Sequence, residues 1–408
     1  MGDSVKVTDK VFLEKLQQGV ALRCRRRMQP ADGNGGKVFP PTYEGGKYAL
    51  EQRLIDGVKT DCVVLDSVQS QANRVEQALK NEFFVPGAAE CAIPVVDVDF
   101  SAIGLPEVGH VTSLDAPHRF ADAILRDSLH DGTKFRDTEA GKALTNATLA
   151  DATALYRFCP LALVLGIWDS TGPKGGLGVK FQRALASEIV AINAVRGVKT
   201  SSRIDPLNIS AKVEGISGAA DDWKLTATAA SAAKEGKAGK KGKSGVKPSE
   251  INHGNVTPSI DANAGGITCD YAVQNTVLSL AALRKIHFPV AGKNLDAEAR
   301  AALVALALCG AVLAQGESDL RSRCLLVPEG PATWELVDAD GAATSFTCDV
   351  EDAKKLLQTC ADAAAKAGLP WEKKVLTLTP SAELGELVKR SREIQAAAPA
   401  EADDDGEA

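Results

Sequence analysis

Polar and apolar residues alternate strictly in GVALRCRRRMQP, where Val20, Leu22, Cys24 and Met28 fall on one side of an extended segment and Arg23, Arg25 and Arg27 on the other. The pattern predicts a strand with an apolar face and a face lined by three guanidiniums. A Gly/Pro-rich loop follows, too long for a simple turn, carrying Tyr43 and Lys47. In LDSVQSQANRVEQALKNEF the period becomes helical. Val68, Ala72, Val75, Leu79 and Phe83 form the buried stripe, with Asp66 as the expected N-cap and Gln69 at the capping-box position. The start of this helix is polar: Ser67, Gln69, Ser70, Gln71, Asn73 and Arg74 suit phosphate or ribose beside a helix N-terminus.

AIPVVDVDF predicts a strand with Val96, Val98 and Phe100 opposite Asp97 and Asp99, and the strict alternation makes these carboxylates a wet face rather than an acid/base pair. DAPHRFADAILRDSLHDGTKF predicts a helix begun by Pro117 that carries His118, Arg119, Arg126, Asp127, His130 and Asp131. Only five histidines occur in the chain, without a spaced partner set, which argues against a metal site there. No cofactor is expected.

From Leu161 to Ile192 the pattern runs from an apolar segment through a glycine-rich loop into a segment of helical period, LALVLGIWDSTGPKGGLGVKFQRALASEIVAI. A strand, glycine turn and helix N-terminus would present unpaired N–H groups and a helix dipole to phosphate. A mononucleotide is disfavoured. Lys180 is followed by Phe181 rather than Ser or Thr, and Phe181 also stands where a dinucleotide fingerprint needs glycine or alanine. What remains is a cationic loop with Lys174, Lys180 and Arg183, the aromatics Trp168 and Phe181 at its ends, and Ser170, Thr171, Gly175 and Gly176 between them. Such a loop suits a polyanion with stackable bases.

Further along, NTVLSLAALRKIHF and DAEARAALVALALCGAVLAQ read as core helices, RCLLVP as a buried strand, and CDVEDAKKLLQTCADAAAKAG and SAELGELVKRSREIQ as amphipathic helices. Residues 217–258 shift to Ala, Gly, Lys and Ser and read as a mobile insertion, with Lys237, Lys240, Lys241 and Lys243 as a possible finger toward DNA or RNA. Strands and helices do not alternate with a regular βαβ period, so the fold class expected is α+β.

Charge placement changes the picture more than its sum. The formal charge is −6, but residues 394–408 form an acidic tail expected to be disordered, which leaves a body closer to neutral with basic concentrations at Arg23–Arg27 and Lys234–Lys247. The longest apolar run is too short to span a bilayer and the nine cysteines show no C-x-x-C pair, so a cytoplasmic protein without membrane partner, disulfides or zinc is expected.

FPPTYEGGKYALEQRLIDG, LDSVQSQANRVEQAL, PHRFADAILRDS, GIWDSTGPKGGLGVKFQRALASEIV and LRSRCLLVP together resemble the backbone subunit of the type I-G (formerly I-U) CRISPR Cascade, a RAMP-superfamily protein of the seventh Cas family. The resemblance spans about Gly19 to Pro328. It implies an RRM-like (ferredoxin-like) palm over residues 1–393, enlarged by insertions, which polymerises head to tail along a CRISPR guide RNA (crRNA) beside other Cascade subunits. The guide would pair with target DNA, a hairpin thumb would kink the RNA, and the subunit would have no catalytic residues. The RNA track would comprise Trp168–Lys180, the three arginines and the helix start at Ser67–Arg74, with Lys47, His118 and Arg119 as further candidates. A competing expectation is a RAMP endoribonuclease that processes the guide precursor with His118 or His130 as acid/base.

Overall fold

The computed structural model describes residues 10–175, 178–218, 222–225 and 246–397. The chain is mixed α+β, as its pattern predicts. It divides into two compact units, one formed by 10–41, 48–194 and 269–397, the other by 42–47 and the described part of 195–268.

The first unit is built on an antiparallel sheet of eight described strands: β1 Ala21–Pro30, β2 Leu50–Ile55, β3 Val58–Asp66, β4 Leu185–Ile192, β5 Tyr271–Ser279, β6 Leu326–Pro328, β7 Trp334–Val337 and β8 Ala343–Phe346. Their order is β8-β7-β1-β5-β4-β3-β2, and β6 pairs with the far end of β1. Helix α1, Val68–Phe83, lies in the chain between β1 and β4, and α2, Asp296–Ala314, between β5 and β7. β1, β4, β5 and β7 thus follow the sequence order strand–helix–strand–strand–helix–strand, with spatial order β7-β1-β5-β4.

Both helices cover one face of the sheet. Leu22 and Cys24 of β1, Leu185 of β4 and Leu278 of β5 join Ala72, Val75 and Leu79 of α1 and the apolar run Ala302–Cys309 of α2 in one buried core. The two helices approach closely at Gly310, where an added Cβ would lie 2.7 Å from Val75 Cγ1. Helix α2 has the length and mean hydropathy, 1.8, of a membrane span, but it is 72% buried between α1 and α3, Val350–Ala367, and its apolarity serves the core.

Four local readings change. ALASEIVAI is β4, not a helix: Ile189, Val190 and Ile192 are β-branched, and the strand is buried on both faces between β5 and β3, which removes the alternation that marks a half-exposed strand. NTVLS belongs to β5, where Thr276 and Leu278 are buried while Val277 between them is exposed, and only Leu280–Leu283 of that stretch is helical. The apolar segment before the glycine loop is a helix, Pro160–Leu165. The stretch after Pro117 breaks into a 3-10 turn, Arg119–Ala121, a single helical turn, Ala123–Arg126, and a hairpin, Ser128–His130 with Thr133–Lys134.

That hairpin belongs to a second, five-stranded sheet in which Val96–Asp99 pairs in parallel with Leu376–Pro380. Asp97 is buried rather than wet, its Oδ2 2.7 Å from His110 Nδ1, and Asp99 holds the Ser101 amide. Burial pushes the Asp97 carboxyl up, and the Ser101 hydrogen bonds hold that of Asp99 down.

The second unit consists of short antiparallel ribbons, Lys199–Arg203 with Val256–Asp261 the longest, and a turn organised by Asp205, which accepts from the amides of Leu207, Ile209 and Gly254.

Candidate nucleic-acid interface

β1 turns its arginines to the face of the large sheet opposite α1 and α2. Arg23, Arg25 and Arg27 are exposed while Leu22, Cys24 and Met28 are buried, so the alternation expected from sequence holds within the strand, whereas Val20, ahead of it, is exposed. The strand is central rather than at an edge, because β5 pairs along one side and β6 and β7 along the other.

Strand register maps the face. Arg23 stands opposite Val277, Arg25 opposite Asn275 and Arg27 opposite Val273. Beyond β5, Glu188 stands opposite Asn275 and Val190 opposite Val273. Arg27 stacks on Tyr271 at 3.8 Å from the ring centroid. The face is hollowed into a concavity of about 730 Å³ lined by residues that include Arg23, Arg25, Arg53, Ile192, Asn275 and Glu335. Ile192 and Val273 line its apolar part and pack on the buried Cys62 and Val190 beneath.

Carboxylates that the sequence did not place here meet most of these cations. Glu335 of β7 is the direct cross-strand neighbour of Arg23 and lies 2.5 Å from its Nε. Glu329, just past β6, accepts from Arg27 Nε at 2.9 Å. Arg53 of β2 forms a bidentate pair with Glu188 at 2.6 and 3.0 Å. Arg25 alone of the column has no side-chain partner among the described residues.

The start of α1 is organised differently from its sequence expectation. Ser67, not Asp66, is the N-cap, and its side chain accepts from the Ser70 amide. The register of β3 against β4 shifts between Ile189 and Val190, a bulge that places Asp66 opposite Ile189 on the covered side. There the fully buried Asp66 carboxylate accepts from Ser70, Gln71, Arg74 and Arg321. Gln71 is buried, and its carbonyl accepts from Ser187 and Gln274, so both ends of its amide serve the protein interior. Arg74 also donates to the Leu320 carbonyl. Gln69 and Asn73 face solvent, and Ser67 and Ser70 are half-buried.

Arg119 is not a surface cation either. It adopts φ 52°, a conformation that costs a non-glycine residue about 1–2 kcal/mol, and aims its guanidinium inward. Its Nε lies 2.5 Å from the buried Glu76, and its Nη1 donates to the Gly166 carbonyl. Arg183 is half-buried and donates to the carbonyls of Leu165 and Val68; burial lowers its pKa. These two arginines tie α1 to the base of the glycine loop. The neighbouring His118 is exposed, and its ring has no partner among the described residues. His130 Nδ1 lies 3.0 Å from the Thr377 carbonyl oxygen.

The loop is the end of a short hairpin, Ile167–Trp168 with Lys180–Phe181, and the segment after it is a strand, not the helix expected from sequence. Asp169 is buried and held by both terminal nitrogens of Arg136 at 2.5 and 2.8 Å. Trp168 is 55% exposed with Lys180 Nζ 5.3 Å from its ring. Ser170, Thr171 and Lys174 are exposed, Lys174 donating to the Thr145 carbonyl, and Gly175 has φ 54°. Gly176, Lys237, Lys240, Lys241 and Lys243 lie outside the described residues, and Lys47 belongs to the second unit.

Residues 22–196, less than half of the chain, match the family model of CRISPR-associated protein GSU0053. That match spans β1 through β4 and supports a CRISPR-associated protein. No curated protein shows significant sequence similarity to the chain.

Proposed function

We propose that this protein is a non-catalytic, guide-RNA-binding backbone subunit of a type I-G Cascade, which assembles head to tail along the guide in the cytoplasm and leaves bases free to pair with target DNA. The observation that carries the reading is the Arg23, Arg25, Arg27 column on the sheet face opposite α1 and α2, beside an amide, Asn275, and an aromatic, Tyr271. Guanidiniums neutralise phosphate and rings accept bases, the two needs of single-stranded RNA. The strand order β7-β1-β5-β4 with a crossover helix in each half supports an RRM-like palm of the RAMP type. The family match over 22–196 supports the CRISPR setting. Assembly along a guide calls for a heterologous contact, since only that kind repeats along a line.

The test is native purification followed by sequencing of bound RNA, with light scattering for particle size. Repeat-derived RNA in particles of several protomers is the expected result; RNA-free monomers overturn the reading. A metal-free ribonuclease is the competing reading, motivated by the exposed His118 ring, and a discrete product from repeat-containing RNA in EDTA would replace the backbone role with it.

A further inference from the structure

The three cations of β1 are not equivalent. Arg23 and Arg27 each carry a glutamate from a neighbouring segment, at 2.5 and 2.9 Å, while Arg25 between them is free among the described residues. Both glutamates lie on the same side of β1, Glu335 directly across from Arg23 and Glu329 one residue past β6. These pairs are open to water, with side-chain exposures of 53% and 35% for Arg23 and Glu335 and 54% and 33% for Arg27 and Glu329. Exposed pairs of this kind are weak and exchange readily.

We infer that Glu329 and Glu335 are specificity-determining residues that compete with phosphate for the arginine column. The inference rests on the RNA reading above. In the free protein they neutralise two of the three guanidiniums of the column, so among the described residues of β1 the unpaired cation that a stray anion meets is Arg25. A contiguous strand that first engages Arg25 holds further phosphates close to Arg23 and Arg27. The high local concentration of tethered phosphates then displaces the carboxylates, which an isolated nucleotide cannot do. The glutamates thereby convert a general polyanion attractor into a face that favours a continuous single strand. They also hold the long arginine side chains in place for the exchange.

The experiment compares wild type, Glu329→Gln/Glu335→Gln, Glu329→Asp/Glu335→Asp and Arg25→Ala for binding of a labelled oligouridylate across a salt series, with a thermal melt of each. Loss of the carboxylates should raise RNA affinity, up to about fivefold for each exposed pair removed. It should also steepen the salt dependence of mononucleotide and dinucleotide binding, by about 0.7 logarithmic units for each phosphate that meets a freed arginine. Mononucleotide and dinucleotide binding should rise more than that of the long strand. The Asp variants, which keep the charge, should behave as wild type. A purely structural role would lower the melt without steepening the slope. Unchanged affinity and slope in the Gln variant, with Arg25→Ala still weakening binding, overturns the shielding inference and leaves the RNA reading intact. Folded wild type and Arg25→Ala that bind the strand equally, or not at all, overturn the RNA reading and the inference with it.

Discussion

Arg321 Nη2 donates to Asp66 Oδ1 at 3.2 Å, across 255 positions of sequence and into a carboxylate with no exposed surface. Arg74 Nε meets the other oxygen at 2.8 Å, so one buried anion answers two guanidiniums at the junction of β3, α1 and the segment before β6. Asp66→Asn would leave both cations in a poorly solvated site without a counter-charge. Removal of one partner from a buried ion pair costs about 3–5 kcal/mol. The variant is expected to melt markedly lower and to expose the amides at the start of α1 to hydrogen exchange. A melting temperature equal to wild type would show that Arg74 and Arg321 reach water.

Glu76 gives a pH signature. Burial pushes its carboxyl up to about 7, although Arg119 beside it pulls in the opposite direction. The folded state therefore binds this proton more tightly than the unfolded chain, whose glutamate titrates near about 4.3. Its contribution to stability is fully present below the unfolded value and is lost as pH rises through about 7. Glu76→Gln should flatten the curve of melting temperature against pH between those limits. An identical slope in the variant would show that the Arg119 pair, rather than burial, dominates.

How much of the fold and site is legible in the sequence follows from where the physical information lies. The arginine face of β1 is readable because alternation along one strand is local. β4 looks helical in sequence because its second half, Ile189–Ile192, is buried without alternation, and the β-branched Ile189, Val190 and Ile192 are the available signal; β5 does alternate at Thr276, Val277 and Leu278, but too briefly before the apolar run Leu280–Leu283 to be told from a helix. Gln71 and Arg119 look like surface partners for phosphate because a polar side chain in sequence does not reveal that Ser187, Gln274 or Glu76 awaits it. Glu335 cannot be placed beside Arg23 from sequence at all, since strand register across 312 positions sets that pair.

The described glycines of the loop separate into two kinds. A Cβ on Gly178 would lie 1.9 Å from the Asp169 carbonyl oxygen, and one on Gly172 2.2 Å from its carboxylate, so both are small because Asp169 closes the loop over them. Gly175 has open space around it and needs only a residue that tolerates φ 54°. Gly178→Ala should break the Asp169 N–H to Val179 carbonyl bond and speed exchange of that amide, whereas Gly175→Asn should leave it protected. Equal protection in both variants would show that the loop adapts around a side chain.

The same loop offers a direct optical test of RNA contact. Trp168 is 55% exposed, whereas Trp334 and Trp371 are at most 8% exposed and Trp223 belongs to the second unit. An exposed indole of this size is costly in water unless something covers it, and Lys180 covers it only in part from 5.3 Å. A stacked base would take that position while the displaced ammonium turns to its phosphate. Single-stranded RNA should therefore quench the fluorescence of the protein, and Trp168→Leu should remove most of the quenching. The substitution should also weaken binding by about 1–3 kcal/mol, the value of one base–aromatic stack, without moving the salt slope. Lys180→Ala should do the reverse, with a small loss of affinity and a slope flatter by about 0.7. Undiminished quenching and affinity in Trp168→Leu would take the hairpin out of the RNA path and leave the β1 face as the whole site.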